Sequence, residues 1–315
     1  MHLGWFENER RLSKSPNAIL IGPTGVGKTH TLRTASEYLG LPFVTVDTTA
    51  LVPSGIVGYQ VEEVLEDLVK KADEILKASG RKRVPNDDIE LARRGVIFFD
   101  EFDKIAVQAG GTGFDGSYQI QRRLLKLVEG STLSVGVHQR KAENTPFRSI
   151  DTAGVLVLAG GAFAGIDDNR IRAKRPEELK RELSRASPNV IVSADIVTYG
   201  FLPELVARLP VLIDFVSLGE SDLERILSIP EISPLQVWVD HFAAIGKTLI
   251  IADDARSHAA KAAVSLRMGA RGLQQVFFPC LAALAYDIED SDDPQFILTA
   301  AHLSEPRRPI RSARM

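Results

Sequence analysis

With a single cysteine, Cys280, in 315 residues, the chain cannot close an internal disulfide. A lone thiol within the apolar run Phe277 to Leu284 reads as a packed core group, which fits a reducing, cytoplasmic setting. The six histidines, His2, His30, His138, His241, His258 and His302, are scattered without ligand spacing, so none is assigned to a metal site. No run approaches the ~20 apolar residues of a membrane span. The start of the chain carries Glu7 and Glu9 and lacks a signal-peptide core, so no membrane partner is expected. Neither sign of charge is in large excess: 38 Lys and Arg against 41 Asp and Glu leave a net charge of -3. That removes any general attraction to nucleic acid or to an anionic membrane. Repeats and low-complexity segments are missing as well. What remains, 44% hydrophobic and 25% charged residues, is ordinary for a soluble globular protein long enough for two domains.

Against this background stands Ile19-Leu20-Ile21-Gly22-Pro23-Thr24-Gly25-Val26-Gly27-Lys28-Thr29. A short apolar strand leads into G-x-x-x-x-G-K-[ST] and then into a helix whose apolar positions resume at Leu32 and Ala35, the context a phosphate-binding loop requires. Gly22, Gly25 and Gly27 let backbone N–H groups wrap a phosphate. The helix starting near Lys28 adds unpaired N–H groups and the positive end of its dipole. Lys28 is expected to reach the β- and γ-phosphates and the Thr29 hydroxyl to ligate Mg²⁺, so the expected ligand is a nucleoside triphosphate with its metal. The plainer reading is a glycine-rich turn with no ligand.

The second motif is Gly95-Val96-Ile97-Phe98-Phe99-Asp100-Glu101. Four apolar residues ending in two carboxylates read as a buried parallel strand whose tip opens beside the phosphate loop. Asp100 is placed to hold Mg²⁺, and Glu101 to orient and deprotonate the attacking water. Such a pairing predicts hydrolysis. Helix capping by the same two acids is the alternative, and the nearby Asp103 and Lys104 read as a surface pair.

Between and beyond these motifs the pattern is α/β. Strands are expected at Pro42 to Asp47, Gly154 to Ala159 and Val211 to Ile213. A helix is expected where Val61, Val64, Leu65, Leu68, Ala72, Ile75 and Leu76 share one face, with Gly80 as its stop. Arg81 to Arg94 reads as a charged surface connection, Gly110 to Gly116 as a glycine-rich loop, Tyr118 to Val128 as a helix ended by Gly130, and Thr132 to Arg148 as an inserted hairpin. Arg175 to Arg185 reads as a solvated helix. The part from about Phe215 onward reads as a smaller helical domain. Leu223, Ile226 and Leu227 form one face there, Phe242 to Ile251 passes into a strand, Ala255 to Leu266 and Leu273 to Leu284 are helices, and Phe296 to Leu298 is a strand. Arg307, Arg308, Arg311 and Arg314 mark a solvated tail.

Taken in order, the two motifs, Leu124-Leu125-Lys126-Leu127-Val128-Glu129-Gly130, Gly160-Gly161-Ala162-Phe163-Ala164-Gly165, Gly200-Phe201-Leu202-Pro203-Glu204 with Ala207-Arg208-Leu209-Pro210-Val211, and Gly269-Ala270-Arg271-Gly272-Leu273 resemble the AAA+ module of the ClpX unfoldase family, with HslU a near relative. The resemblance runs from about residue 17 to 300. It implies a three-layer P-loop NTPase domain with a parallel sheet over 17–213 and a small, mostly helical lid over 214–303, flanked by a short segment 1–16 and a flexible basic tail 304–315. It makes Arg208 an arginine finger offered to a neighbouring subunit's nucleotide and Arg271 the sensor-2 arginine. A surface ion pair and a helix-start arginine are the alternatives for these two. It implies a homohexamer, with ATP and Mg²⁺ as cofactors and protein substrates as clients. The pore-loop position is held by Gly55-Ile56-Val57-Gly58, an aliphatic grip followed by Tyr59. The family's zinc domain is excluded by the cysteine count. Between Gly165 and Asp195 there is no Ile-Gly-Phe tripeptide, so coupling to a peptidase is not expected, and neither is nucleic acid. The expectation is therefore ATP-driven unfolding of protein clients. The alternatives are an AAA+ ATPase acting on DNA or transcription complexes and a poorly hydrolysing regulatory subunit.

Overall fold

The computed structural model describes residues 16–52, 59–80, 84–107, 114–135, 148–166, 191–287 and 293–305. The chain falls into two compact units, Met1–Gly22 with Lys28–Asp214, and Pro23–Gly27 with Phe215–Met315. The strands of the first unit are β1 (Ala18–Ile21), β2 (Phe43–Asp47), β3 (Val96–Asp100), β4 (Thr132–Val135), β5 (Arg148–Asp151), β6 (Leu156–Gly161) and β7 (Val211–Asp214). Five of them form one sheet in the order β2-β3-β6-β1-β7, and every neighbouring pair is parallel. β1 and β3 read as unbroken apolar runs because both faces of each are covered, from Ala18 to Ile21 and from Val96 to Phe99. β1 lies between β6 and β7 although β2 follows it in the chain. Its carboxyl end is thus a switch point of the winding, where ligands of such sheets gather.

The helices of this unit are α1 (Lys28–Leu39), α2 (Val61–Ala78), α3 (Asp87–Ala92), α4 (Phe114–Glu129), α5 (Ser193–Tyr199) and α6 (Pro203–Ala207). In α2 the expected stripe of Val61, Val64, Leu65, Leu68 and Ala72 is buried, while Ile75 and Leu76 are half-buried. Gly80 follows with φ 64°, a conformation that costs a residue with a Cβ.

Several expectations are corrected. The stretch read as a surface connection contains α3, whose Ile89 and Ala92 are in the core. Arg148 of β5 holds this helix by a two-pronged bond to Asp88. Ala35 of α1 is exposed, and the buried residues of that helix are Lys28 and Ser36. β4 and β5 pair antiparallel as a sheet of their own, Thr132 opposite Asp151 and Val135 opposite Arg148, so the second strand runs past its expected end. β6 begins two residues later than expected because Thr152–Gly154 forms a 3-10 turn capped by Asp151. The expected pore loop Gly55–Gly58, the helix Arg175 to Arg185 and the basic tail lie outside the described residues, as does most of the Gly110 to Gly116 loop.

The second unit has a core of its own, which includes Leu223, Leu227, Phe242, Leu273, Phe277, Leu281 and Phe296. Its elements are α7 (Glu220–Ser228), α8 (Gln236–Ala244), β8 (Thr248–Ile251), α9 (Asp253–Leu266), α10 (Ala270–Asp287), β9 (Gln295–Leu298) and α11 (Ala300–Ser304). β8 and β9 pair parallel. Cys280 is buried in this core, and burial pushes its thiol up to about 11. α10 begins earlier than its apolar pattern suggests and carries Pro279 within its length. Among the described residues no helix is long and apolar enough to cross a membrane.

Candidate functional site

The site is assembled where β1 and β3 end. Gly22 leaves β1 with φ 156° and donates its N–H to the Gly161 carbonyl at 3.1 Å, which carries the β1–β6 pairing one step beyond the strand. Gly25 and Gly27 take φ values of 79° and 93°, open to glycine and strained for residues with a Cβ. Pro23 and Thr24 are exposed and Val26 is buried. Lys28 opens α1 with its side chain buried, and its ammonium donates to the Gly22 carbonyl at 2.6 Å. The lysine is thereby folded over its own loop. The next residue, Thr29, donates its hydroxyl to Asp100 Oδ2 at 2.9 Å. Two motifs 71 residues apart in sequence meet at this bond.

The other carboxylate oxygen of Asp100 accepts the Glu101 N–H at 2.9 Å. Glu101 has φ 52° and ψ 34°, a left-handed conformation uncommon outside glycine and frequent at functional sites. Its carbonyl accepts the Thr48 hydroxyl at 2.7 Å and the Lys104 N–H at 2.9 Å. These bonds hold the turn while the Glu101 side chain stays exposed. Thr48 is buried just past the end of β2, where the β2–β3 register sets Asp47 opposite Asp100. Asp103 is not the surface residue its sequence suggested. It is buried, and its Oδ1 accepts the Ala162 N–H from beyond β6 at 3.3 Å, with Lys104 Nζ 3.4 Å from Oδ2.

Lys28, Thr29, Asp100 and Glu101 are thus brought together. Arg208 caps the C-terminal end of α6. Its guanidinium lies 3.6 Å from Glu129 Oε1, and both side chains are about half exposed. Its carbonyl accepts the Asn17 amide N–H at 3.2 Å, and the same Asn17 accepts the Val157 N–H at 3.0 Å. In the second unit, the Gly25 carbonyl accepts the Ala270 N–H at 3.0 Å. A Cβ on Gly25 would lie 2.2 Å from the Met268 carbonyl oxygen, so this close approach requires glycine there. Arg271 follows at once, exposed in the first turn of α10.

Tyr59, beside the expected pore loop, is committed elsewhere. Its hydroxyl donates to Asp67 of α2 at 2.7 Å, and burial together with that carboxylate raises its pKa well above the usual phenol range. Its carbonyl accepts the Val52 N–H at 3.0 Å, and it bridges Leu51. Among the described residues no group of three or more His, Cys, Asp or Glu could hold a metal ion by itself. A magnesium site of the P-loop type, with one hydroxyl and one carboxylate, needs no such cluster.

The model of the AAA domain (Cdc48 subfamily) matches residues 13–212. The ATP-dependent Clp protease ATP-binding subunit ClpX 2 of Wolinella succinogenes is 32% identical over 310 residues, covering 94% of this chain and 74% of that protein. The chain belongs to the ClpX family of AAA ATPases. ClpX of Treponema denticola is 32% identical over 284 residues, covering 86% of this chain and 65% of its own length. ClpX 3 of Methylococcus capsulatus is 30% identical over 325 residues, at 98% and 72%. The chain thus spans about two thirds to three quarters of these relatives' lengths. As a ClpX-family chain it is an ATPase of the Clp unfoldase class, and the DNA-acting and regulatory alternatives are not favoured.

Sequence reasoning passed over Thr48, Asn17 and Gln121. Thr48 and Asn17 carry no pattern, since each is one polar residue at a strand boundary. Gln121 had a signal: in α4 it shares a buried helical face with Leu124 and Val128, and a buried glutamine requires partners.

Proposed function

We propose that this chain binds ATP with Mg²⁺ at the junction of β1, α1 and β3, hydrolyses it, and uses the energy as a homohexameric ring to unfold protein substrates. The observation that carries the reading is the 2.9 Å bond between Thr29 and Asp100 with Glu101 next in the chain. Its two hard oxygens suit Mg²⁺, which keeps several waters and takes one or two protein oxygens. Bound there, Mg²⁺ would neutralise charge on the β- and γ-phosphates. Lys28 would turn its ammonium from the Gly22 carbonyl to those phosphates, and the N–H groups of Gly25 and Gly27 would cradle them. Glu101, exposed at the strand tip, would accept a proton from the attacking water.

Arg208 would serve a neighbouring subunit, where a guanidinium stabilises charge on the equatorial oxygens of the transferring phosphoryl group. Arg271 would act as sensor 2 from a lid formed by the second unit, and Gly55–Gly58 would grip the client. The relatives are named as subunits of an ATP-dependent protease. Because no Ile-Gly-Phe tripeptide occurs between Gly165 and Asp195, this chain is proposed to act without a peptidase, in the cytoplasm and away from nucleic acid.

Steady-state ATPase of the purified chain and its Glu101→Gln variant tests the reading, together with particle size with and without ATP. Turnover in the wild type, a loss of at least about 100-fold in the variant and a six-fold particle on nucleotide addition are expected. Equal turnover in both proteins would sink the role of Glu101, and a persistent monomer that of Arg208.

A further inference from the structure

Helix α4 reaches towards both Glu101 and Arg208 through two of its side chains, Gln121 and Glu129. Near its middle, the fully buried Gln121 donates its amide N–H groups to the carbonyls of Ile105, at 2.8 Å, and Gly200, at 3.1 Å. Its oxygen accepts the Leu202 N–H at 2.8 Å. Ile105 ends the 3-10 turn that follows Glu101. Gly200 and Leu202 lead into α6, whose C-terminal end at Ala207 is capped by Arg208. Eight residues further along α4, about 12 Å, Glu129 pairs with Arg208.

Other contacts bind the two segments in the same sense. Phe102, directly after Glu101, stacks on Phe201 with ring centroids 4.7 Å apart. The Val107 N–H donates to the Gly200 carbonyl at 2.9 Å. Gly200 has φ 126°, and a Cβ there would lie 2.5 Å from the Val107 carbonyl oxygen, so the backbones meet as closely as glycine allows.

We propose that Gln121 is a positioning residue that fixes the segment Gly200–Arg208 against the turn after Glu101. The arginine offered to a neighbour is thereby held in register with the water-activating carboxylate of its own subunit. This rests on the roles of Glu101 and Arg208 given above. A glutamine suits the task because one planar amide satisfies two acceptors and one donor drawn from both segments. An apolar side chain of the same size would fill the space and leave the segments without this polar tie, joined only by the Phe102–Phe201 stack and the Val107–Gly200 bond among the contacts named.

The test is a double-mutant cycle on ATPase turnover with Gln121→Met, Arg208→Ala and the double variant. Gln121→Met is expected to lower kcat about tenfold through misplacement of the finger, with KM unchanged within about twofold. The double variant should turn over no more slowly than Arg208→Ala alone, because the finger that Gln121 places is already gone. Nucleotide affinity, measured in a Glu101→Gln background, should not move. A kcat within twofold of wild type for Gln121→Met, or losses that multiply in the double variant, would overturn the proposal and leave the reading of Arg208 intact. Full turnover in Arg208→Ala would overturn both. Should Gln121→Met fail to fold by circular dichroism, Phe201→Leu, which removes the Phe102 stack and keeps an apolar core, enters the same cycle under the same criteria.

Discussion

At the strand tip a threonine hydroxyl, that of Thr48, donates to the carbonyl of Glu101 at 2.7 Å. Glu101 sits in a left-handed conformation that costs an L-residue about 1–2 kcal/mol, and the bond from buried Thr48 to its carbonyl offsets part of that cost. Thr48→Val keeps the shape and removes the donor. Its kcat is expected to fall roughly tenfold, since the carboxylate is misplaced and not lost, while KM stays within about twofold and Thr48→Ser restores most of the turnover. Equal kcat in Val and Ser variants would show that the hydroxyl does not matter. Cys280 makes a second point at this scale. With its thiol raised to about 11, almost none of it is thiolate near pH 8, and only the thiolate attacks alkylating reagents. Iodoacetamide labelling of the native chain at pH 8 should therefore be at least about tenfold slower than in denaturant. Equal rates would mean that the second unit opens freely.

Among the elements, what was legible followed from burial on two faces. β1 and β3 are sealed above and below, so their side chains had to be apolar without alternation, and each run ended at residues proposed to carry the chemistry. α2 was legible because one stripe of it is buried and the opposite face is charged. α3 was hidden because it is only six residues long and three of those are acidic. Its place is fixed by a partner 60 residues away, which no local pattern reports. The same holds for Asp103, whose burial depends on a backbone N–H arriving from beyond β6. The motifs of the site could be read directly, whereas the groups that hold it in shape could not.

The α3 tie can be measured by its pH dependence. The bond from Arg148, together with its charge, holds the Asp88 carboxyl below the usual carboxylate range, and both side chains are mostly buried. A depressed folded-state pKa adds stability that is present above the unfolded value near 3.9 and is lost as pH falls through the lower folded value. Asp88→Asn should therefore cost about 1–2 kcal/mol near neutral pH. The gap to wild type in denaturant melts should narrow below about pH 4 and close at lower pH. A gap that stays constant down to acid would mean the carboxylate charge is not what holds α3.

For the whole molecule, the decisive question is whether one active site is made from two subunits. Arg208 is half exposed and its ion pair with Glu129 is of a kind worth less than about 1 kcal/mol, so the guanidinium is cheaply released to a neighbour. Glu129→Gln should accordingly change ATPase turnover by no more than about threefold, whereas Arg208→Ala should abolish most of it. Glu101→Gln should be equally inactive for a different reason, since it would lack the proposed base and keep the proposed finger. If the finger acts across an interface, a ring mixing these two inactive proteins contains sites with Glu101 from one subunit and Arg208 from the next. Random mixing at equal amounts places a competent pair at about a quarter of the interfaces of a closed ring, and turnover should return to about that fraction of wild type. If both residues acted on the same subunit's nucleotide, no mixture could contain a complete site, and activity would stay at the level of the separate variants.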